Sequence, residues 1–99
     1  MTFSLRPQAQ QDLAQLLEHI ALDNIDAAYR VRDAIMHTFK TLSENPLIGK
    51  EITDLSIKDV RRFPVSGFNN YSIFYRITDQ TIEIIRLGYG DRDWGNILK

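Results

Sequence analysis

The sequence YSIFYRITDQTIEIIRLGYGDRDW, residues 71–94, decides the fold of this chain. In residues 71–76, and again in residues 81–89, large apolar side chains recur at every second position. A polar break, Thr78-Asp79-Gln80, separates the two runs. Alternation of β-branched and aromatic residues on both sides of a short polar turn is typical of two antiparallel strands. The stretch therefore predicts a β-hairpin.

The same alternation predicts which side chains share a face of this hairpin, because successive residues of a strand point to opposite faces. One face is expected to carry Ile73, Tyr75, Ile82, Ile84 and Arg86, and the other Phe74, Ile85, Leu87 and Tyr89. Both faces are apolar, so the sheet needs cover on both sides. Arg86 stands out, because a charge among apolar side chains needs an ionic partner or open water.

Two amphipathic helices are predicted upstream of the hairpin. Residues 2–6 alternate as a short edge strand, and Pro7 suits the first turn of a helix. Apolar residues at helical spacing then form two stripes: Ala9, Leu13, Leu16, Leu17 and Ile20 in the first helix, and Ala28, Val31, Ile35, Phe39 and Leu42 in the second. Asn24 or Asp26 is expected to cap the second helix, and Asn45-Pro46 to end it. Helices joined so closely form an antiparallel hairpin that covers one sheet face.

The segment between the helices and the hairpin is less regular. Residues 46–56 show no period, residues 58–63 read as a strand that Pro64 ends, and residues 66–70 are turn formers. The predicted class is α+β in one domain, residues 1–99. Its order is a short N-terminal strand, an antiparallel helical hairpin and a three-strand antiparallel meander (β-α-α-β-β-β), with the helices packed on one sheet face.

Composition excludes several classes of function. With 99 residues and no cysteine, the chain has no thiolate nucleophile and no cysteine-ligated metal site. His19 and His37 have no acid and nucleophile at suggestive spacing, so no metal or cofactor is expected. The net charge of −1 does not suit a protein whose main partner is nucleic acid. No apolar run is long enough to span a membrane, and the expected location is the cytoplasm.

Six groups of residues, in this order, resemble the ParE/RelE superfamily of bacterial toxins, once grouped as plasmid stabilisation proteins, and the resemblance covers nearly the whole chain. The groups are Ala9 with Asp12 and Leu13; residues 26–28; residues 42–46 with Gly49; Val60-Arg61-Arg62-Phe63; residues 71–76; and residues 84–94. The resemblance implies the toxin of a type II toxin–antitoxin system, which inhibits growth.

Two activities occur in the superfamily. ParE-like members poison DNA gyrase and have no known catalytic site, whereas RelE-like members cut messenger RNA on the ribosome with basic and aromatic side chains. The resemblance therefore leaves open whether this chain is an enzyme. If it is an endoribonuclease, the catalytic candidates are Arg62, Tyr89 and Arg92. A degenerate toxin, kept as an antitoxin-binding module, is a third alternative.

Three features favour the gyrase inhibitor. Arg92 lies between Asp91 and Asp93, whose carboxylates offset its field at a phosphate. The near-neutral chain suits a ribosomal site poorly. The ending Gly-Tyr-Gly-Asp-Arg-Asp-Trp resembles the His-Gly-x-Arg-Asp ending of ParE-like sequences, with Tyr89 in place of histidine.

The resemblance also implies partners. We expect DNA gyrase as the target and a cognate ParD-like antitoxin, in a hetero-oligomer, with no membrane and no sequence-specific nucleic-acid partner. The antitoxin is expected to lay an amphipathic helix or an added strand over the apolar sheet face that the helices leave open. The residues expected to bind the target or the antitoxin are Arg61, Arg62, Phe74, Arg86, Tyr89, Arg92 and Trp94.

Overall fold

One strand and two helices open the fold, as their periodicity predicts. The computed structural model describes residues 1–53, 58–90, Trp94 and Leu98. Strand β1 spans Thr2–Leu5, helix α1 Pro7–Asp23 and helix α2 Ile25–Glu44. Asn24 separates the helices in an extended conformation, and its side-chain oxygen accepts the Ala27 N–H at 3.1 Å. This cap is one of the two predicted for α2, and such caps contribute about 1 kcal/mol.

A five-stranded sheet forms the second layer. It adds β2 (Lys50–Glu51), β3 (Arg61–Val65), β4 (Phe68–Thr78) and β5 (Thr81–Tyr89) in the spatial order β1-β5-β4-β3-β2. The meander β3-β4-β5 is antiparallel, which confirms the predicted class, whereas β1 runs parallel to β5. The two-residue strand β2 was not predicted, because so short a strand leaves no periodicity.

The strand boundaries differ from the sequence prediction around Pro64. Strand β3 begins at Arg61 because Lys58 and Asp59 form a turn, in which Asp59 has φ 65°. Pro64 does not end this strand; the register shifts between Pro64 and Val65, and an irregularity of this kind accommodates proline within a sheet. The following turn is confined to Ser66 and Gly67, so β4 begins at Phe68 and not at Tyr71.

The hairpin β4–β5 turns at two residues with left-handed backbone, Asp79 (φ 47°) and Gln80 (φ 63°). Positive φ at both central positions is the geometry of a type I′ turn, whose twist matches that of the flanking strands. A bulge interrupts the ladder farther along: Phe74 lies opposite Arg86 and Tyr75 opposite Ile84, so Ile85 is the extra residue of β5.

The bulge changes the faces of β5. We call the face under α1 and α2 the helix face and the opposite one the outer face. Leu87 packs on the helix face with Ile82 and Ile84, whereas Ile85 packs on the outer face with Phe74. The prediction that Leu87 shares a face with Phe74 and Ile85 is therefore wrong, because one extra residue reverses the alternation beyond it.

Two clusters of buried side chains lie on the two sides of the sheet. The larger one combines the α2 stripe with the helix face, and every predicted α2 stripe residue is buried. The smaller one consists of Val60, Phe74, Ile85, Trp94 and Leu98 on the outer face. Neither α1 nor α2 is long and apolar enough to cross a membrane.

Candidate functional site

Arg62 lies on the outer face, held by neighbours within the sheet. Its Nε donates to the Ser72 hydroxyl at 3.0 Å, and its guanidinium carbon lies 5.6 Å from the centre of the Phe74 ring. Ser72 is 3% exposed, so a buried hydroxyl fixes one side of the guanidinium. Lys50 lies opposite Arg62 on β2 and adds a second positive charge. Among the described residues no carboxylate pairs with Arg62, which leaves its terminal nitrogens able to bind an anionic partner.

Phe74 and Trp94 lie beneath this surface and not on it. Their ring centres are 4.5 Å apart, and the two side chains are 0% and 8% exposed. Trp94 also covers Gly88, where a Cβ atom would overlap its indole. The expectation that the apolar face is open is therefore wrong at Phe74 and Ile85, because Trp94 and Leu98 of the same chain already cover them.

Arg61 points to the other side of the sheet, as expected for the neighbour of Arg62. Its Nη1 donates to the carbonyl oxygens of Gly49 at 2.8 Å and Leu47 at 3.3 Å. The Tyr75 hydroxyl holds the same loop: it donates to the Pro46 carbonyl and accepts the Gly49 N–H, both at 2.8 Å. Arg61 and Tyr75 thus fix the loop that follows α2. Gly49 is required there, because a Cβ atom would lie 2.5 Å from the Tyr75 hydroxyl oxygen.

Tyr75→Phe is expected to lower the free energy of unfolding by about 1–3 kcal/mol, because it leaves a buried N–H and a carbonyl without their partner. Burial raises the pKa of Tyr75, against smaller opposing effects of the Gly49 N–H and the Arg61 charge. The folded state thus favours the neutral hydroxyl. The Tyr75 hydroxyl therefore makes its full contribution to the free energy of unfolding below the unfolded pKa of about 10. This contribution is lost as pH rises through the pKa of Tyr75 in the folded state.

Urea unfolding from pH 7 to pH 11 measures both effects. The difference in stability between the wild type and Tyr75→Phe should shrink above pH 10. Burial, with Tyr89 adding to it, also raises the pKa of Tyr71, so Tyr71→Phe is the matched control for alkaline effects that do not involve the loop. A difference that stays constant up to pH 11 would contradict the assignment to Tyr75.

Arg86 forms an ion pair with Asp12 of α1. Its Nε and Nη2 donate to the two carboxylate oxygens of Asp12 at 2.7 and 3.0 Å, and the Leu87 N–H donates to the same carboxylate at 3.1 Å. The side chains of Arg86 and Asp12 are 17% and 9% exposed. The charge predicted to need a partner thus has one. Arg76 is paired as well, with Glu83 opposite it at 2.6 Å.

Tyr89 lies at the end of β5, on the same side as α1. Its ring centre is 5.2 Å from that of Tyr71, and the residue is 56% exposed. It lines a cleft of about 220 Å³ between α1 and β5, together with Asp12, Gln15, Leu16, His19, Leu87 and Gly88. Sequence reasoning did not predict this cleft, because its two walls are about 70 residues apart in the chain.

The predicted residues do not form one surface. Arg62 lies on the outer face, Tyr89 beside α1, Arg61 against the loop after α2 and Arg86 in its ion pair, whereas Phe74 and Trp94 are buried; Arg92 lies outside the described residues. The structure thus separates Arg62 from Tyr89, two of the three catalytic candidates. In the described part of the chain, no three His, Asp or Glu side chains are grouped to hold a metal ion.

Three solved structures with a similar fold come from toxin–antitoxin systems. A chain of the chromosomal ParDE system of P. aeruginosa superposes with a TM-score of 0.73 at 20% identity, covering 92% of this chain and 97% of that one. The intact E. coli RelBE toxin–antitoxin complex contains a chain with a TM-score of 0.62 and 15% identity over 92% and 98%. The isolated E. coli RelE toxin also gives 0.62, at 14% identity over 98% and 94%.

The family is shown at the level of sequence. Residues 3–94 match the family of ParE toxins of type II toxin–antitoxin systems (parDE), and the chain belongs to this family. No curated protein matches the chain in sequence. The resemblance to the ParE/RelE superfamily is thus confirmed, on the ParE side.

Proposed function

We propose that this toxin acts in the cytoplasm by binding and inhibiting DNA gyrase, and that a cognate ParD-like antitoxin neutralises it in a hetero-oligomer. Membership of the ParE family supports this proposal. The presence of a ParDE system and a RelBE complex among the similar structures supports an antitoxin partner. Two features of the described surface support gyrase as the target: the positions of Arg62 and Tyr89, and the small positive charge of the outer face.

The separation of Arg62 from Tyr89 is the observation that carries the proposal. Proton transfer in RNA cleavage needs an acid and a base within about 2.6–3.2 Å of the reacting atoms, or one water molecule away. Arg62 stacks on Phe74 on the outer face, whereas Tyr89 contacts Tyr71 and lines the cleft beside α1. Side chains on opposite sides of a sheet cannot contact one phosphodiester together.

The charge available on the described surface supports the same conclusion. Binding to RNA gains affinity from each phosphate that a basic side chain neutralises. Of the described sheet arginines, Arg76 and Arg86 are paired with carboxylates and Arg61 with loop carbonyls. On the outer face Arg62 and Lys50 have no carboxylate partner among the described residues. This small charge suits one carboxylate of a protein target better than a nucleic-acid backbone.

Two assays on cells that express the toxin test the target. We expect double-strand DNA breaks and a DNA-damage response, with translated messages intact, and inhibition of supercoiling when the purified toxin is added to gyrase. Messages cut within codons, without breaks, would establish the endoribonuclease instead. Neither effect, with normal growth, would favour the degenerate module.

Arg62→Ala connects the surface to the activity. We expect it to weaken gyrase inhibition and growth arrest in parallel, because it removes the guanidinium that, among the described residues of the outer face, has no carboxylate partner. The matched control is Arg30→Ala, which removes an exposed arginine from α2. Helix α2 packs on the helix face, on the opposite side of the sheet from Arg62. Urea unfolding of both variants verifies that they fold. Equal toxicity of Arg62→Ala and the wild type would remove Arg62 from the site.

A further inference from the structure

Two large aliphatic side chains project from the loop that follows α2. Leu47 is 68% exposed and Ile48 is 49% exposed, and we call this pair the apolar tip. In the described part of the chain, neither residue belongs to a buried cluster or packs against one. Leu47 also lines two open recesses, of about 330 and 230 Å³. A single exposed apolar side chain is ordinary on a protein surface, whereas an adjacent pair on a fixed support is typical of an interaction site.

The backbone of this loop is such a fixed support. The Tyr75 hydroxyl and the Arg61 guanidinium together form four hydrogen bonds with it. The Ile48 N–H adds a fifth, to the Asn45 carbonyl at 3.1 Å. Every residue from 46 to 49 therefore has at least one backbone group that is hydrogen-bonded.

This bonding holds the apolar tip in place without burying it. Tyr75 is 0% exposed, so a core side chain fixes the backbone of a loop whose own large side chains face solvent. A loop that only connected α2 to β2 would be more stable with Leu47 and Ile48 packed against the core. A loop that is already ordered loses little conformational entropy when it binds a partner, which favours affinity.

A positively charged surface continues from the apolar tip. Lys50 follows the loop directly and lies opposite Arg62 on β3. Two residues separate Ile48 from Lys50 in the chain, so their Cα atoms are at most about 7 Å apart. Neither cation has a carboxylate partner among the described residues. The complementary partner is a protein surface with an apolar pocket and a carboxylate at its rim.

We propose that Leu47 and Ile48 are the apolar anchor of the target-binding surface, and that they insert into a pocket of gyrase whose rim carries a carboxylate for Arg62 and Lys50. This inference rests on the proposed inhibition of gyrase. The side chains that dominate binding in protein interfaces fill pockets on the partner and are surrounded by weaker polar contacts. The apolar tip thus supplies affinity, and the two cations orient the complex.

A second exposed aliphatic pair lies at the other end of α2 and does not fit this partner. Leu22 and Ile25 are 81% and 60% exposed, and they alternate with the carboxylates of Asp23 and Asp26 around the junction of the helices. Carboxylates at this site would repel the carboxylate of the partner. Helix α2 has 20 residues and is therefore about 30 Å long, which separates this pair from the apolar tip.

Two double variants compare the two aliphatic pairs. Leu47→Ala with Ile48→Ala removes the apolar tip, and Leu22→Ala with Ile25→Ala removes the same residue types at the helix junction. We expect the toxin concentration that half-inhibits supercoiling by gyrase to rise about tenfold or more for the first variant. For the second we expect a change within about twofold, because its residues lie outside the interface. Urea unfolding verifies that both variants fold, as expected for exposed positions.

Photo-crosslinking locates the apolar tip in the complex without truncating it. The chain has no cysteine, so Leu47→Cys provides a single thiol to which an apolar benzophenone group can be attached. We expect illumination with gyrase to crosslink this variant to a gyrase subunit. Leu22→Cys, labelled in the same way, is the control and should give no crosslink.

Three outcomes would contradict the proposal, each in a different way. Equal inhibition by the two double variants, or equal crosslinking from positions 47 and 22, would overturn the assignment of the anchor. Unchanged inhibition by the first double variant, with loss of its binding to the antitoxin, would assign the apolar tip to the antitoxin instead. Failure of the wild type to inhibit gyrase would overturn the proposed function itself, before any variant is compared.

Discussion

Asp12→Ala is expected to lower the free energy of unfolding by about 3–5 kcal/mol, a large share of the stability of a domain of this size. The substitution removes both hydrogen bonds of the Arg86 guanidinium and the acceptor of the Leu87 N–H. Arg86 is 17% exposed, so water replaces the carboxylate poorly. Urea unfolding measures the change as a lower midpoint with an unchanged slope.

A double variant separates the interaction from the loss of the carboxylate alone. Asp12→Ala combined with Arg86→Met removes the unpaired charge, so the pair should be more stable than Asp12→Ala by itself. Glu18→Ala, at an exposed position of α1, is the matched control and should change stability by less than about 0.5 kcal/mol. A cost of Asp12→Ala close to that of Glu18→Ala would show that the ion pair adds nothing to the fold.

Local patterns predicted those parts of the fold that follow from a single period. The α2 stripe from Ala28 to Leu42 is buried as predicted, because the 3.6-residue repeat places it on one side of the helix. Asn24 caps α2, and the polar residues Asp79 and Gln80 form the hairpin turn. The meander and its antiparallel pairing follow from the alternation.

The features that sequence did not predict depend on pairing between distant residues. The bulge at Ile85 exists because Phe74 and Tyr75 skip one residue of β5, and nothing in the alternation of β5 marks the skip. It moved Leu87 to the helix face. Likewise β2 is defined by its partners Arg61 and Arg62, and two residues alone have no pattern.

The candidate site was predicted in its residue types but not in its arrangement. Arg62, Arg86 and Tyr89 lie on neighbouring strands, yet one is stacked on the outer face, one is paired with Asp12 and one lines the cleft. Asp12 belonged to a recognised motif, and Arg86 needed a partner on its apolar strand. Asp12 and Arg86 are 74 positions apart in the chain, so no local pattern in the sequence indicates that they form an ion pair.

Gly88→Ala is expected to cost about 3–5 kcal/mol, as much as removing the indole by Trp94→Ala, although it adds a single methyl group. A Cβ atom at Gly88 would lie 2.6 Å from Cζ2 of Trp94 and closer still to Cη2. Trp94 must then leave, and Phe74 and Ile85, which are 0% and 3% exposed, lose their cover. Urea unfolding of the two single variants measures both costs.

The combination of Gly88→Ala with Trp94→Ala decides whether the two residues act through one contact. If the methyl group acts by expelling the indole, Gly88→Ala has little left to disturb once the indole is gone, and the double variant should be about as stable as Trp94→Ala. Trp94 is the sole tryptophan of the chain, so its emission reports the displacement directly and should shift to longer wavelength in Gly88→Ala. Additive costs with unshifted emission would place the indole elsewhere. The outer face would then be open, and the apolar surface around Phe74 would again need a partner to cover it.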